Sequence, residues 1–134
     1  AEADVEAAIK ELEEEGVLLG YQAVVNPQKL TTSCVEAVVE VRLTPERGGG
    51  FDRLAARISR FDEVVSCYLM SGSYDLIAVV QGATLQEIAA FISEKLSTIK
   101  GVVSTATHFR LKAYKENGVN LMLEPKSQRL AVAP

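Results

Sequence analysis

The sequence predicts an α+β fold of the ferredoxin-like kind. That fold is an antiparallel four-stranded sheet with two helices on one face, preceded here by one helix and a linking strand. Three observations lead there. From residue 34 the hydrophobic periodicity switches in the order β-α-β-β-α-β. The two halves echo each other: RISRFDEVVSCYL and KLSTIKGVVSTAT place a helix end, a short turn and VVS in the same relation. The chain also has no tryptophan and few aromatics, so its core must rest on Val, Ile, Leu and Ala, which suits a sheet-and-helix layer.

The elements follow in order. ADVEAAIKELEEE, residues 3–15, reads as a helix, with Val5, Ala8, Ile9 and Leu12 on one stripe and Gly16 as its stop. VLLGYQAVV, residues 17–25, reads as the linking strand, ended by Asn26-Pro27. CVEAVVEVRL, residues 34–43, is a strand rich in β-branched residues, and TPERGGG is a loop. FDRLAARISRF is a helix with Leu54, Ala55 and Ile58 inward. EVVSCYLM and DLIAVVQ are strands. TLQEIAAFISEKLSTI is a helix with Leu85, Ile88, Ala89, Ile92, Leu96 and Ile99 on one face, opened by a Thr84/Glu87 capping box and closed by Gly101. VVSTATHFRLKAY, residues 102–114, is the last long strand. With both helices on one face, the other sheet face is bare. VEAVVEV and LIAVV are too apolar for a fully wetted surface, so a second copy is expected to cover it.

Composition closes off several function classes. The net charge is −4, and residues 1–15 carry seven acids against Lys10, a net −6, which leaves the rest at about +2. There is no basic patch of the kind that drives phosphate binding. The helix at 3–15 offers Glu2, Asp4 and Glu6 near its start, which phosphate would repel. No signal peptide or membrane-length apolar run is present, so a cytoplasmic location is expected. Cys34 and Cys67 lie in strand-like runs without metal spacing and read as buried reduced thiols. No metal cluster, phosphate loop or cofactor motif is found, and no cofactor is expected.

Two places carry candidate chemistry. SGSYD, residues 71–75, has the residues of a turn, and Gly72 suits a positive φ. Asp75, however, opens an apolar strand, where a carboxylate needs a partner or water. Ser104, Thr105 and Thr107 supply hydroxyls on what reads as the neighbouring last strand. A carboxylate facing hydroxyls is what a zwitterion such as an amino acid needs. Turn and site both remain open on this reading. His108 is the only histidine, and alternation puts it with Ala106 and Arg110, opposite Thr105 and Thr107. Without an acidic neighbour in sequence it reads as structural or pocket-lining rather than as a general base, and no catalytic residue is assigned.

IKELEEEGVLLGYQAVVNPQKL, CYLMSGSYDLIAVV and LSTIKGVVSTATHFRLKAYK, in order over roughly residues 5–115, resemble the Lrp/AsnC (feast/famine, leucine-responsive) transcriptional regulators. Their linking segment, SG-x-[FY]-D element and closing T-x-T strand are matched in turn. The resemblance implies a truncated helix-turn-helix over residues 1–33 (last helix and linking strand), a ferredoxin-like effector-binding and oligomerisation (RAM) domain over 34–115, and a C-terminal tail over 116–134. It implies a homodimer through the sheets, with tetramers or octamers as further assemblies, and an amino-acid effector between subunits. By position, Gly72, Ser73, Tyr74 and Asp75 would form one wall and Thr105, Thr107 and His108 the other, with Asp75 accepting the ammonium group. Only the final helix of the helix-turn-helix matches, so DNA binding is expected only where upstream helices are present. Two alternatives accompany this reading: a free-standing sensor or partner-binding module, and an enzyme on a related dimeric fold, using His108 and Arg110.

Overall fold

The computed structural model describes residues 1–32, 34–48 and 50–122. They form two compact units, one of residues 27–114 and one combining residues 1–26 with the segment from Lys115 onward.

In the unit of residues 27–114, β1 (Val35–Leu43), α2 (Asp52–Ser59), β2 (Val64–Leu69), β3 (Leu76–Gly82), α3 (Leu85–Phe91) and β4 (Val102–Phe109) follow one another; α1 (Glu2–Glu14) belongs to the other unit. The sheet is antiparallel with strand order β2-β3-β1-β4, the ferredoxin-like order. The register sorts side chains by face. Ala37, Val39 and Val41 pair with Val80, Ala78 and Leu76, and all six are 1 % exposed or less. Leu54 and Ile58 of α2 and Ile88, Phe91, Ile92, Leu96 and Ile99 cover this side and complete the core. Burial of such side chains is worth about 1.5–3 kcal/mol each, the main force holding helices to sheet.

The helix after β3 departs from the sequence reading in two ways. Its start is as expected: Thr84 Oγ1 accepts the Glu87 N–H at 3.1 Å, and Glu87 Oε2 accepts the Ala83 N–H at 2.9 Å. Beyond Phe91 the helix widens into a π turn over Ile92–Leu96, in which the Ser97 N–H reaches back five residues to the Ile92 carbonyl at 2.8 Å. The inward arc is set by Ile88, Phe91 and Ile92. At 100° per residue Ala89 falls outside it and is exposed, and Leu85 at its rim is 48 % exposed. Phe91 takes the inward position instead, edge-on to Phe61 with ring centroids 5.3 Å apart. Gly101 then turns the chain into β4 at φ +102, and a Cβ there would lie 2.8 Å from Leu54 Cδ1. The last strand ends at Phe109 rather than at residue 114.

The second face of the sheet presents Glu36, Val38, Glu40 and Arg42 of β1, Ile77, Val79 and Gln81 of β3, Ser66 and Tyr68 of β2, and Ala106 and His108 of β4. Among the described residues of this unit no layer covers it. Its apolar centre is interrupted by carboxylates, so it is more polar than the runs VEAVVEV and LIAVV suggest.

In the other unit, α1 spans Glu2–Glu14 and buries none of its residues. Gly16 at φ +77 and the Val17 and Leu18 N–H groups, both bonded to the Leu12 carbonyl, close it. The linking segment 17–25 has strand composition but pairs with no described strand. Its Tyr21 hydroxyl donates to Glu13 at 3.1 Å. A hairpin of β5 (Lys115–Glu116) and β6 (Val119–Asn120) stands where the sequence reads only as a tail. Its turn, Asn117-Gly118, has φ of +48 and +82, the pattern of a type I′ turn. Residues 123–134 of that tail lie outside the described residues.

The cysteines also differ from expectation. Cys34 is exposed, because it precedes the strand rather than lying in it, and Cys67 is half-buried. Burial pushes the Cys67 thiol up, partly offset by its hydrogen bond with Ser59. Among the described residues no helix is long and apolar enough to cross a membrane, and no group of His, Cys, Asp or Glu could hold a metal ion.

Candidate functional site

The loop between β2 and β3 is tied down by its last residue. Asp75 donates its N–H to the Val41 carbonyl at 3.0 Å, and its own carbonyl accepts the Met70 N–H at 2.9 Å. Its carboxylate Oδ2 accepts the Leu43 N–H at 2.8 Å. The physical cause is a missing rung. Beyond the Val41–Leu76 pair, β3 has turned away, and the Asp75 side chain replaces the backbone acceptor that a longer strand would give Leu43. The acid that opens an apolar strand thus has a structural partner, as a half-buried carboxylate requires. Its other oxygen, Oδ1, accepts no hydrogen bond among the described residues. Gly72 bends the loop at φ +128, where side chains other than glycine are strained. Gly72 and Ser73 are exposed, and Tyr74 is half-buried.

β4 is not the neighbour of this loop. β1 lies between them, with Val41 paired to Leu76 on one side and to Thr105 on the other. Two strand spacings, roughly 10 Å, separate Asp75 from the level of Thr105. Thr105 and Thr107 pair with Val41 and Val39 and so look toward the helices from the edge strand, half-buried. Thr105 Oγ1 lies 3.4 Å from Ser97 Oγ, which joins β4 to the end of the π turn.

His108 lies on the opposite face, as alternation predicts. Its Nε2 is 2.6 Å from Glu40 Oε2, on the adjacent strand. Sequence proximity hides this partner, which is 68 residues away, but the shared outer parity of Glu40 and His108 is a signal that sheet pairing turns into contact. Beside it, Glu36 pairs with Arg110 and accepts a hydrogen bond from Gln81 Nε2 at 2.8 Å. The predicted residues therefore fall into three places rather than one: the anchored loop 72–75, the Thr105/Thr107 edge on the helix side, and His108 on the open face. A cavity of about 320 Å³ beside α3 contains none of them; it is lined by Glu63, Gln81, Glu87, Phe91, Glu94 and Lys95, among others.

The fold is a ferredoxin-like α+β domain with an anchored polar loop at one end of its sheet and an open sheet face. Residues 36–119 match the Lrp/AsnC ligand binding domain. The chain is 45 % identical over 132 residues to the uncharacterized HTH-type transcriptional regulator YugG of Bacillus subtilis, covering 98 % of this chain and 80 % of that protein. It is 30 % identical over 111 residues to the proline dehydrogenase transcriptional activator of Rhizobium radiobacter, covering 83 % and 70 %. Among solved structures, the transcriptional regulator NMB0573 of Neisseria meningitidis, in complex with L-Met, shares the fold at a TM-score of 0.69 and 21 % identity, covering 89 % of this chain and 76 % of that one. FFRP-DM1 matches at a TM-score of 0.51 and 26 % identity, covering 57 % and 99 %. The chain belongs to the Lrp/AsnC family. YugG, the Rhizobium radiobacter activator and NMB0573 are named as transcriptional regulators rather than enzymes, and the chain's role is regulatory, not catalytic.

Proposed function

We propose that this chain is the effector-binding and oligomerisation part of an Lrp/AsnC-like transcriptional regulator, with an amino acid as its effector. The observation that carries the reading is the anchored loop. Gly72, Ser73 and Tyr74 are held at the end of the sheet by Asp75, which keeps one carboxylate oxygen for an ammonium group. Thr105 and Thr107 stand on the edge strand, whose outer side pairs with no described strand and can take a ligand or a second copy. Because about 10 Å separates these walls within one chain, the site takes residues from two subunits, and His108 belongs to the interface rather than to the ligand. A relative in complex with L-Met and another named a leucine-responsive regulatory protein support an amino acid.

The open sheet face is where the chain forms a homodimer, and tetramers or octamers follow from further contacts. We divide the chain accordingly into residues 1–33, 34–115 and 116–134, with DNA contact left to a complete helix-turn-helix. The mechanism is linkage: a ligand that prefers one assembly state shifts the population toward it. Calorimetric titration of the assembled protein with each of the twenty amino acids tests this. Saturable binding of at least one, one per interface, is expected; heat of dilution alone for all twenty would refute the reading.

A further inference from the structure

We propose that Arg42 binds the α-carboxylate of the effector, so that Asp75 and Arg42 of one chain grip both charges of an amino acid. This rests on the reading of the anchored loop as the effector site. The bond that anchors the loop also sets the two residues side by side. The Leu43 amide nitrogen is bonded to the Arg42 carbonyl carbon, so a carboxylate oxygen 2.8 Å from it lies within about 5 Å of the Arg42 Cα. Arg42 alternates with the buried Val41 and Leu43 and is itself exposed, so its side chain leaves β1 on the open face. Ser104 stands opposite it on β4 and adds a hydroxyl to the same end of the sheet.

The other charged groups of this face have partners. Glu36 pairs with Arg110 and accepts from Gln81, and Glu40, two residues before Arg42 on β1, lies 2.6 Å from His108. β2 and β3 add no charge, since Asp75 is the one charged residue between Glu63 and Glu87. Arg42 takes part in no ion pair or side-chain hydrogen bond among the described residues. The Leu43 N–H holds one oxygen of Asp75, so backbone fixes the carboxylate and the guanidinium does not close on it. A pinned anion beside an unpaired cation suits a ligand that carries both charges on one carbon. The ammonium of an α-amino acid meets the second oxygen of Asp75, and its carboxylate takes the planar, two-pronged donor set of Arg42. A simple amine or a simple carboxylic acid answers only half of the pair.

Calorimetric titration of the full chain with the twenty amino acids, and with the α-carboxamide of each one that binds, tests this. Arg42→Gln is expected to weaken an amino acid that binds the wild type by at least about tenfold. The α-carboxamide, which has no carboxylate to offer, is expected to bind wild type and Arg42→Gln alike. Arg42→Lys keeps the charge without the fork and is expected to fall between them. Lys100, on the turn whose Gly101 carbonyl accepts the Thr44 N–H, is a second cation at this end of the chain's sheet, and Lys100→Gln is expected to bind as the wild type does. Circular dichroism and sedimentation check that the variants fold and assemble. An amino acid held equally by wild type and Arg42→Gln would overturn the proposal alone. So would an equal loss for the amino acid and its carboxamide, or a loss found in Lys100→Gln instead. No binding of any amino acid to the wild type would overturn the site reading and the proposal together.

Discussion

Asp75 Oδ2 accepts the Leu43 N–H at 2.8 Å, and this bond fastens the β2–β3 loop to the end of the strand two positions beyond the last β1–β3 pair. Removing a charged acceptor from a half-buried amide costs about 1–3 kcal/mol, toward the lower end where water reaches the amide. Asp75→Ala is expected to lower the urea midpoint accordingly, while Asp75→Asn, which keeps a carbonyl acceptor, loses less. If the Ala variant unfolds at the wild-type midpoint, the bond contributes nothing. Asn that folds normally but no longer binds an amino acid would isolate the ligand role of the carboxylate.

Gly101 is held by two constraints at once, a φ of +102 and Leu54 Cδ1 at 2.8 Å from where a Cβ would stand. Gly101→Ala is expected to cost roughly 1–3 kcal/mol. Combining it with Leu54→Ala relieves the contact but not the backbone strain, so the pair should be non-additive. Full additivity in denaturation experiments would show that the contact is not felt.

Thr84 caps α3 through the Glu87 N–H at 3.1 Å. Thr84→Ala is expected to cost about 1 kcal/mol, and Thr84→Ser close to nothing. Equal losses in both variants would point to the Thr methyl group rather than the cap.

The two thiols should react at different rates. Cys34 is exposed, whereas burial both shields Cys67 and holds its thiol protonated at neutral pH. Mass spectrometry after brief iodoacetamide treatment is expected to find Cys34 modified first, with Cys67 labelling rising as the pH is taken above 9. Equal labelling of both at neutral pH would contradict this.

Much of this architecture was legible because it rests on local patterning. Alternation sorted Thr105 and Thr107 from His108, and the repeated VVS turns gave the duplicated β-α-β order. What failed depends on non-local geometry. Sequence order suggested that the last strand neighbours the SGSYD loop, but β1 is interposed, so the single cluster became three sites. Phe91 points inward and Ala89 outward on the ordinary helix geometry of α3, and the π turn that follows was missed because a 3.6-residue template has no place for an i→i−5 bond. The Glu40 partner of His108 exists only through strand pairing. The hairpin at 115–120 was a different kind of miss: Asn117-Gly118 is a strong turn signal, and it was present in the sequence.

The central position of β1 also governs how the chain matures. β1 is complete by residue 43, yet one of its edges pairs with residues 102–109. During synthesis its apolar run must wait, unzipped along that edge, while some sixty further residues emerge, and pairings so distant in sequence close slowly. Nascent chains that stall before β4 therefore expose an adhesive β edge, which makes a late arrest more prone to aggregation than the finished protein.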